Sequence, residues 1–307
     1  MNPYLTALRP RQWTKNLVVF AAPLFAFSLN LQTLLGGLLA LALFCATSSS
    51  FYLINDLVDI ESDRQHPVKC KRPIPSGLVS IPAASGMAVV LLGGSLLIAW
   101  LTNPGLGAAI SGYAILQVAY NLKLKHKIIL DIVAIALGFV LRAYAGAAAT
   151  HITLSSWFLL CTAMLALFLG IEKRKAELRL VEAKTDAKRR AVLWRYSLPL
   201  LHRMESTVTT GAIMTYAIWS SGPKVNGAST SWMLLTLPLV LYGVFRYQLL
   251  SDPEEIARRR DLGQEHGGKT ERPEEILLTD QPMLLCVMAW VGLTLVILTL
   301  KHQGLIH

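Results

Sequence analysis

Apolar runs long enough to cross a hydrocarbon layer constrain this chain more than any other feature. A segment in lipid must satisfy its own backbone hydrogen bonds, and only helices and closed barrels do so. The runs fall at about 14–31, 34–57, 81–101, 105–122, 128–149, 154–171, 198–220, 232–250 and 282–300. They have the length of helices rather than of short alternating strands. The expected class is all-α: a polytopic membrane protein of nine transmembrane helices, with one membrane-embedded domain over 1–307. The first span is the weakest, because its apolar stretch from Leu17 to Leu29 is short. Composition agrees, with 53% hydrophobic and 16% charged residues and a mean hydropathy of +0.48.

A net charge of +10 invites a nucleic-acid reading until the basic residues are placed on loops. With the N-terminus inside, all but four of the 29 Lys and Arg fall on the cytoplasmic side. The exceptions are Lys224 and Lys301, expected outside, and Arg142 and Arg246, which lie within helices. The charge is therefore topological, following the excess of cations on cytoplasmic loops. Anionic membrane lipids and anionic substrates can use it too, whereas nucleic-acid binding has no supporting signature. The expected location is the inner membrane of the cell, with the N-terminus cytoplasmic and the C-terminus outside. Cys45, Cys161 and Cys286 sit in apolar runs and Cys70 stands alone in a loop, without the paired spacing of zinc or disulfide frameworks. Arg9, Arg11 and Lys15 precede a segment with no convincing cleavage site, so that segment is expected to stay as an anchor.

The cytoplasmic connections, at about 58–80, 172–197 and 252–281, carry the chemistry. The second apolar run ends in Asn55-Asp56-Leu57-Val58-Asp59-Ile60-Glu61-Ser62-Asp63, and Arg64, His66, Lys69 and Arg72 follow at once. Helical spacing puts Asn55, Asp59 and Asp63 on one stripe, with Asp56 beside it. Stacked carboxylates repel unless a cation lies between them. Hard oxygen ligands suit Mg²⁺, which shares its coordination with water and substrate phosphates. Asp56, Asp59 and Asp63 are the expected metal ligands and catalytic carboxylates of a magnesium-diphosphate site.

Two further polar clusters stand at span ends. Tyr120 and Lys123 are one turn apart, Lys125 follows, and Asp131 enters the next span. Arg142 lies three turns beyond Asp131 at nearly the same azimuth, about 16 Å deeper. An arginine at that depth is either functional or paired inside the bundle. The third cluster is Glu172-Lys173-Arg174-Lys175-Ala176-Glu177, where Lys173 and Arg174 are the candidates for a substrate phosphate. A basic run, Lys188, Arg189, Arg190 and Arg195, continues it. Asp252-Pro253-Glu254-Glu255 has the features of a helix start, Arg258 to Arg260 close that helix, and 252–281 is long enough to serve as a lid or to be a plain loop.

These motifs, in this order, resemble the UbiA superfamily of intramembrane prenyltransferases. The likeness rests on Asn-Asp-x-x-Asp-x-x-x-Asp from Asn55 and on the polar motif between spans four and five. Within that superfamily, the chain is similar to the decaprenyl-phosphate phosphoribosyltransferase branch. The shared details are Arg9-Pro10-Arg11-Gln12-Trp13-Thr14-Lys15-Asn16, the run from Asp63 to Pro73, Tyr120-x-x-Lys123-x-Lys125 with Asp131, Leu141-Arg142-Ala143, and Lys173-Arg174-x-x-Glu177. The chain departs from aromatic prenyltransferases, which typically carry two aspartate-rich motifs. Here the second place holds lysines and one aspartate, and ammonium groups bind phosphate directly.

The resemblance implies a UbiA-like bundle that transfers 5-phosphoribose from 5-phosphoribosyl 1-diphosphate to a polyprenyl phosphate, with Mg²⁺ as cofactor. Asp56, Asp59 and Asp63, with Asn55, would hold the metal on the donor diphosphate. Lys15, Lys69 and Arg72 are the choices for the ribose 5-phosphate. The lipid phosphate would meet Lys123, Lys125 or Arg142, with Tyr120, Asp131, Lys173 and Arg174 completing the binding residues. His66 is expected to contact phosphate or support the loop, since an ionised phosphate acceptor needs no base. An aromatic-acceptor prenyltransferase of the same fold remains the alternative, for which a second carboxylate site would speak. A lipid-phosphate transporter is the alternative from another class, for which broken helices and inverted repeats would speak.

Overall fold

The computed structural model describes residues 2–28, 30–66, 68–183, 193, 195–261 and 280–306, and its regular elements among them are all helical. Four short helices are Pro3–Ala7 (α1), Ala21–Phe25 (α2), Ile60–Arg64 (α4) and Pro253–Asp261 (α11). The long ones are Leu31–Val58 (α3), Ile81–Thr102 (α5), Pro104–Leu122 (α6), Leu130–Thr150 (α7), Ser156–Ala183 (α8), Leu198–Ser220 (α9), Leu237–Leu250 (α10) and Gln281–His302 (α12). A 3-10 stretch, Ser231–Thr236, leads into α10. Six stretches of the described residues are long and apolar enough to cross a membrane. The protein is a multi-pass membrane protein.

Local chemistry sets the helix starts. Asn30, Ser80, Ser197 and Asp280 each cap a long helix by accepting a first-turn N–H, and in α5, α9 and α12 a proline follows within the first turn. Asp280 also accepts two bonds from Arg246, at 3.1 and 2.9 Å, which accounts for an arginine inside a span. Burial works against ionisation of Asp280, but the Arg246 bonds and the Met283 N–H outweigh it and hold the carboxyl below its ordinary range. The expected surface helix after Asp252 forms as α11, with Asp252 Oδ1 accepting from Glu254 N at 2.9 Å. The rest of the candidate lid, 262–279, and the basic residues 188–190 lie outside the described residues.

The expected first span, 14–31, does not form one helix. Pro10–Phe20 winds as 3-10 helix, α2 adds one turn, and the chain reverses through Phe27 at φ +49. Pro23 supplies the reason, because it lacks the N–H that an α-helix would donate to the Val19 carbonyl. Side-chain bonds hold this segment on α3 instead. Trp13 Nε1 donates to Ser49 Oγ at 3.0 Å, and Asn16 Nδ2 reaches Cys45 Sγ at 3.2 Å and Ser48 Oγ at 3.4 Å. Gly146 on α7 makes the close approach possible, since a Cβ there would stand 1.9 Å from the Val19 carbonyl oxygen.

The chain divides into two compact units, Met1–Leu122 with Leu141–Thr153, and Lys123–Val140 with Leu154–His307. In the first, α3, α5 and α6 pack around Leu43, Phe44, Leu106, Ile110 and Tyr113. A second cluster of Ala7, Leu53, Ile74, Val79 and Ala84 lies near the acidic end of α3. In the other unit α8 pairs with α9 over Ile171, Leu178 and Leu201, and α10 pairs with α12.

Gly146→Ala is expected to lower the thermal unfolding midpoint in detergent by an amount worth about 1–3 kcal/mol, the cost of overpacking. Gly93→Ala, where a Cβ meets nothing within 4 Å, should leave the midpoint unchanged. In oriented vesicles, an impermeant thiol reagent should reach Cys70 only from the cytoplasmic side and Lys224→Cys only from outside. Labelling of both from one side would refute the charge-based topology.

Candidate active site

The acidic motif straddles a break in the helix. α3 ends at Val58 and α4 begins at Ile60, with Asp59 between them at φ −92 and ψ 10. Asp56 and Asp63 are buried, whereas Asn55 and Asp59 are half-buried. Arg72 Nη1 stands 3.0 Å from Asp56 Oδ1 and 2.7 Å from Asp63 Oδ2, so one guanidinium nitrogen serves both carboxylates. Arg9 Nη2 adds a 2.5 Å contact to Asp56 Oδ1, and Lys69 Nζ lies 3.2 Å from Asp63 Oδ1.

The group brought together is therefore Asp56 and Asp63, two helical turns apart, and not the stripe of Asn55, Asp59 and Asp63. Asp59 sits at the break and makes no ion pair among the described residues. Arg9 was not among the expected site residues, although Arg9-Pro10-Arg11 opened a motif. It occupies left-handed backbone at φ +55, with its guanidinium 4.8 Å from the Tyr52 ring centre. Lys15 donates to Gln12 Oε1 at 2.7 Å within its own segment.

The pair fits a divalent cation. Asp63 Oδ1 is buried and accepts no hydrogen bond, although the Lys69 ammonium is within ion-pair distance. That leaves a hard oxygen with an open lone pair. No group of three His, Cys, Asp or Glu converges at metal-holding distance among the described residues. Two carboxylates with the other positions left to water and phosphate is a usual way to hold Mg²⁺.

Arg142 lies in the first unit, buried, and donates from Nε to Asn16 Oδ1 at 2.7 Å and from Nη2 to the Tyr113 hydroxyl at 3.0 Å. Its guanidinium also faces the Phe44 and Tyr113 rings, 5.6 and 4.8 Å from their centres. Arg142 is thus paired inside the bundle, and its bonds to Asn16 and Tyr113 tie the N-terminal segment to α7 and α6.

The second unit assembles a different network. Asp131 is fully buried, taking Arg174 Nε at 2.7 Å and the Tyr196 hydroxyl at 2.7 Å. Arg174 also donates to Glu177. Asp131 and Arg174, both expected on substrate, are thus brought onto each other. Lys173 is half-buried, and Lys123 and Lys125 sit on the connection after α6, exposed and half-buried, without an ion pair among the described residues. Tyr120 ends up half-buried on α6, in the first unit.

Sequence reasoning passed over Tyr196, which carries no motif. It also passed over Glu205, which an acidic residue inside an apolar span could have signalled. Lys175 Nζ bonds Glu172 Oε1 at 2.7 Å and Glu205 Oε2 at 2.5 Å, and Gln248 Nε2 donates to Glu205 Oε1 at 2.9 Å.

With this geometry in hand, residues 16–262 match the model of the UbiA prenyltransferase family. The chain belongs to that family. It is 36% identical over 300 residues to a decaprenyl-phosphate phosphoribosyltransferase of Mycolicibacterium smegmatis, covering 94% of this chain and 90% of that protein. A protein of the same name from Mycobacterium tuberculosis is 35% identical over 291 residues, covering 93% of this chain and 91% of its own length. Among solved structures, a UbiA homolog from Archaeoglobus fulgidus bound to DMAPP and Mg²⁺ superposes with a TM-score of 0.66. It is 20% identical over 96% of this chain and 99% of that one, a likeness of fold.

Arg174→Ala is expected to strip a buried carboxylate of its cation and to destabilise the folded protein by about 3–5 kcal/mol. Thermal unfolding should show it, with Lys123→Ala as a control that leaves the midpoint within about 0.5 kcal/mol, as surface changes do.

Proposed function

We propose that the protein transfers 5-phosphoribose from 5-phosphoribosyl 1-diphosphate to a polyprenyl phosphate and releases diphosphate. The observation that carries this reading is the Asp56–Asp63 pair gathered with Arg9, Lys69 and Arg72. Two carboxylates alone suit a cation, and three cations alone suit a phosphate. Together they suit a metal-bound diphosphate that carries a second phosphate. The likeness to the named phosphoribosyltransferases, over most of both chains, supports the choice of donor and acceptor.

Asp56 and Asp63 would hold Mg²⁺, which when bound neutralises charge on the departing diphosphate. Arg72, Lys69 and Arg9 bind the donor's phosphates, and Lys15 on the neighbouring segment is a further cation for the ribose 5-phosphate. Lys123 and Lys125 receive the lipid phosphate, with Lys173 on α8 as a further cation of the same unit. A bond forms between an acceptor phosphate oxygen and the anomeric carbon as the bond from that carbon to diphosphate breaks. The acceptor oxygen is already ionised at neutral pH, so no side chain takes a proton. Orientation and charge neutralisation supply the rate.

Purified protein given Mg²⁺, labelled phosphoribosyl diphosphate and polyprenyl phosphate should yield a labelled lipid, and no labelled lipid would overturn the reading. Chelation of the metal should abolish turnover. Asp63→Asn should lower kcat/KM for the donor by about ten- to a hundredfold, as losing a charge-assisted contact worth about 1.5–3 kcal/mol implies. Full turnover in metal-free buffer would remove Mg²⁺ from the scheme.

A further inference from the structure

Ile129 is β-branched and yet held at φ +71. Such a residue occupies left-handed backbone only at a cost on the order of 1–3 kcal/mol, so something must hold it there. It lies in the connection between α6 and α7, which turns through the 3-10 stretch Leu124–His126 and carries Lys123, Lys125 and Lys127. Its N–H donates to the Tyr196 hydroxyl at 2.7 Å. The same hydroxyl donates its own proton to Asp131 Oδ1 at 2.7 Å, and the other oxygen of Asp131 is fixed by Arg174. The strained turn is thereby tied through one phenol to a buried ion pair.

The Tyr196 ring is buried in the cluster of Ile132, Ile171, Leu178, Leu193 and Leu201, mostly residues of α7, α8 and α9, with Ile128 of the turn packed against it. Burial, and then the bond to Asp131, raise the phenol far above its ordinary pKa, so it remains a donor wherever the fold persists. The turn also mixes its cations with exposed apolar side chains. Leu122, Ile129 and Leu130 are 72%, 49% and 46% exposed. A soluble sugar diphosphate gains nothing from leucine and isoleucine, whereas a phosphate on a prenyl chain gains contact with both kinds of group.

We infer that Tyr196 is a positioning residue for the lipid-phosphate acceptor: by pinning Ile129 N–H it sets the shape in which the α6–α7 turn offers Lys123 and Lys125 to a prenyl-linked phosphate. The inference rests on the phosphoribosyl-transfer reading for the identity of the acceptor. Tyr196 itself touches no reacting atom.

Tyr196→Phe keeps the ring and removes only the hydroxyl. In the full-length protein in detergent, the KM for polyprenyl phosphate should rise about tenfold, with kcat and the donor KM within about twofold, the scale of one lost hydrogen bond. A purely structural role would lower kcat or disturb both substrates alike, and either result overturns the inference. Adding Ile129→Gly to that variant should bring the lipid KM back towards wild type, because glycine adopts positive φ without the steric cost. Failure of that rescue also overturns it. Amide exchange in the unmutated protein needs no folded variant: Ile129 N–H should be protected, and unprotected exchange there removes the pin. Direct binding of polyprenyl phosphate, read by tryptophan fluorescence, separates the two claims. If the wild type binds the lipid without transferring ribose, the reaction is wrong, while the ratio of wild-type to Tyr196→Phe affinity still decides the role of Tyr196.

Discussion

A carboxylate buried in an apolar helical bundle stays ionised only if a cation comes with it, and much of the polar architecture of this protein answers that constraint. Asp56 and Asp63 share Arg72, Asp131 takes Arg174, Glu172 and Glu205 share Lys175, and Asp280 takes Arg246. Glu172 finds Lys175 within its own turn of α8, whereas the other carboxylates take their cations from another element, so those pairs also fasten elements together. Arg142 is met by neutral groups and aromatic faces in the same spirit.

The pairs differ in what they leave open. Asp131 has both oxygens engaged and no exposed surface, so it holds structure. Asp63 keeps one oxygen without a hydrogen bond, and its cations Lys69 and Arg72 are about a third exposed, so this group stays accessible. That contrast separates an accessible ion-pair cluster from a closed one within one protein, where composition alone makes the two look alike. It also explains why the break at Asp59 matters, since a motif that ends one helix and starts another is where backbone geometry departs from regular helix.

Long elements were the most legible part of the chain. Eight expected runs fall on helices, and among the described residues six stretches are long and apolar enough to cross a membrane, because about twenty apolar residues in lipid admit few other solutions. The ninth failed at Pro23 and at the polar stripe of Ser48 and Ser49, where side chains offered the segment a different set of hydrogen bonds. Within the candidate site, the carboxylates and cations singled out by residue type are present, but which of them meet was not legible from spacing. Asp56 and Asp63, two of the three expected ligands, share Arg72 while Asp59 stands at the helix break, Arg9 joined from more than forty residues away, and Asp131 with Arg174 closed on each other.

By itself the sequence determined the class of fold, the membrane setting and the chemical character of the motifs, because these follow from local length, hydropathy and residue type. Tertiary structure alone decided which carboxylate meets which cation and which cations stay available. It also decided that a tyrosine without a motif holds the turn bearing Lys123 and Lys125. Those choices depend on helix rotation and on contacts between residues distant in the chain, about which the spacing of residues along one helix carries no information.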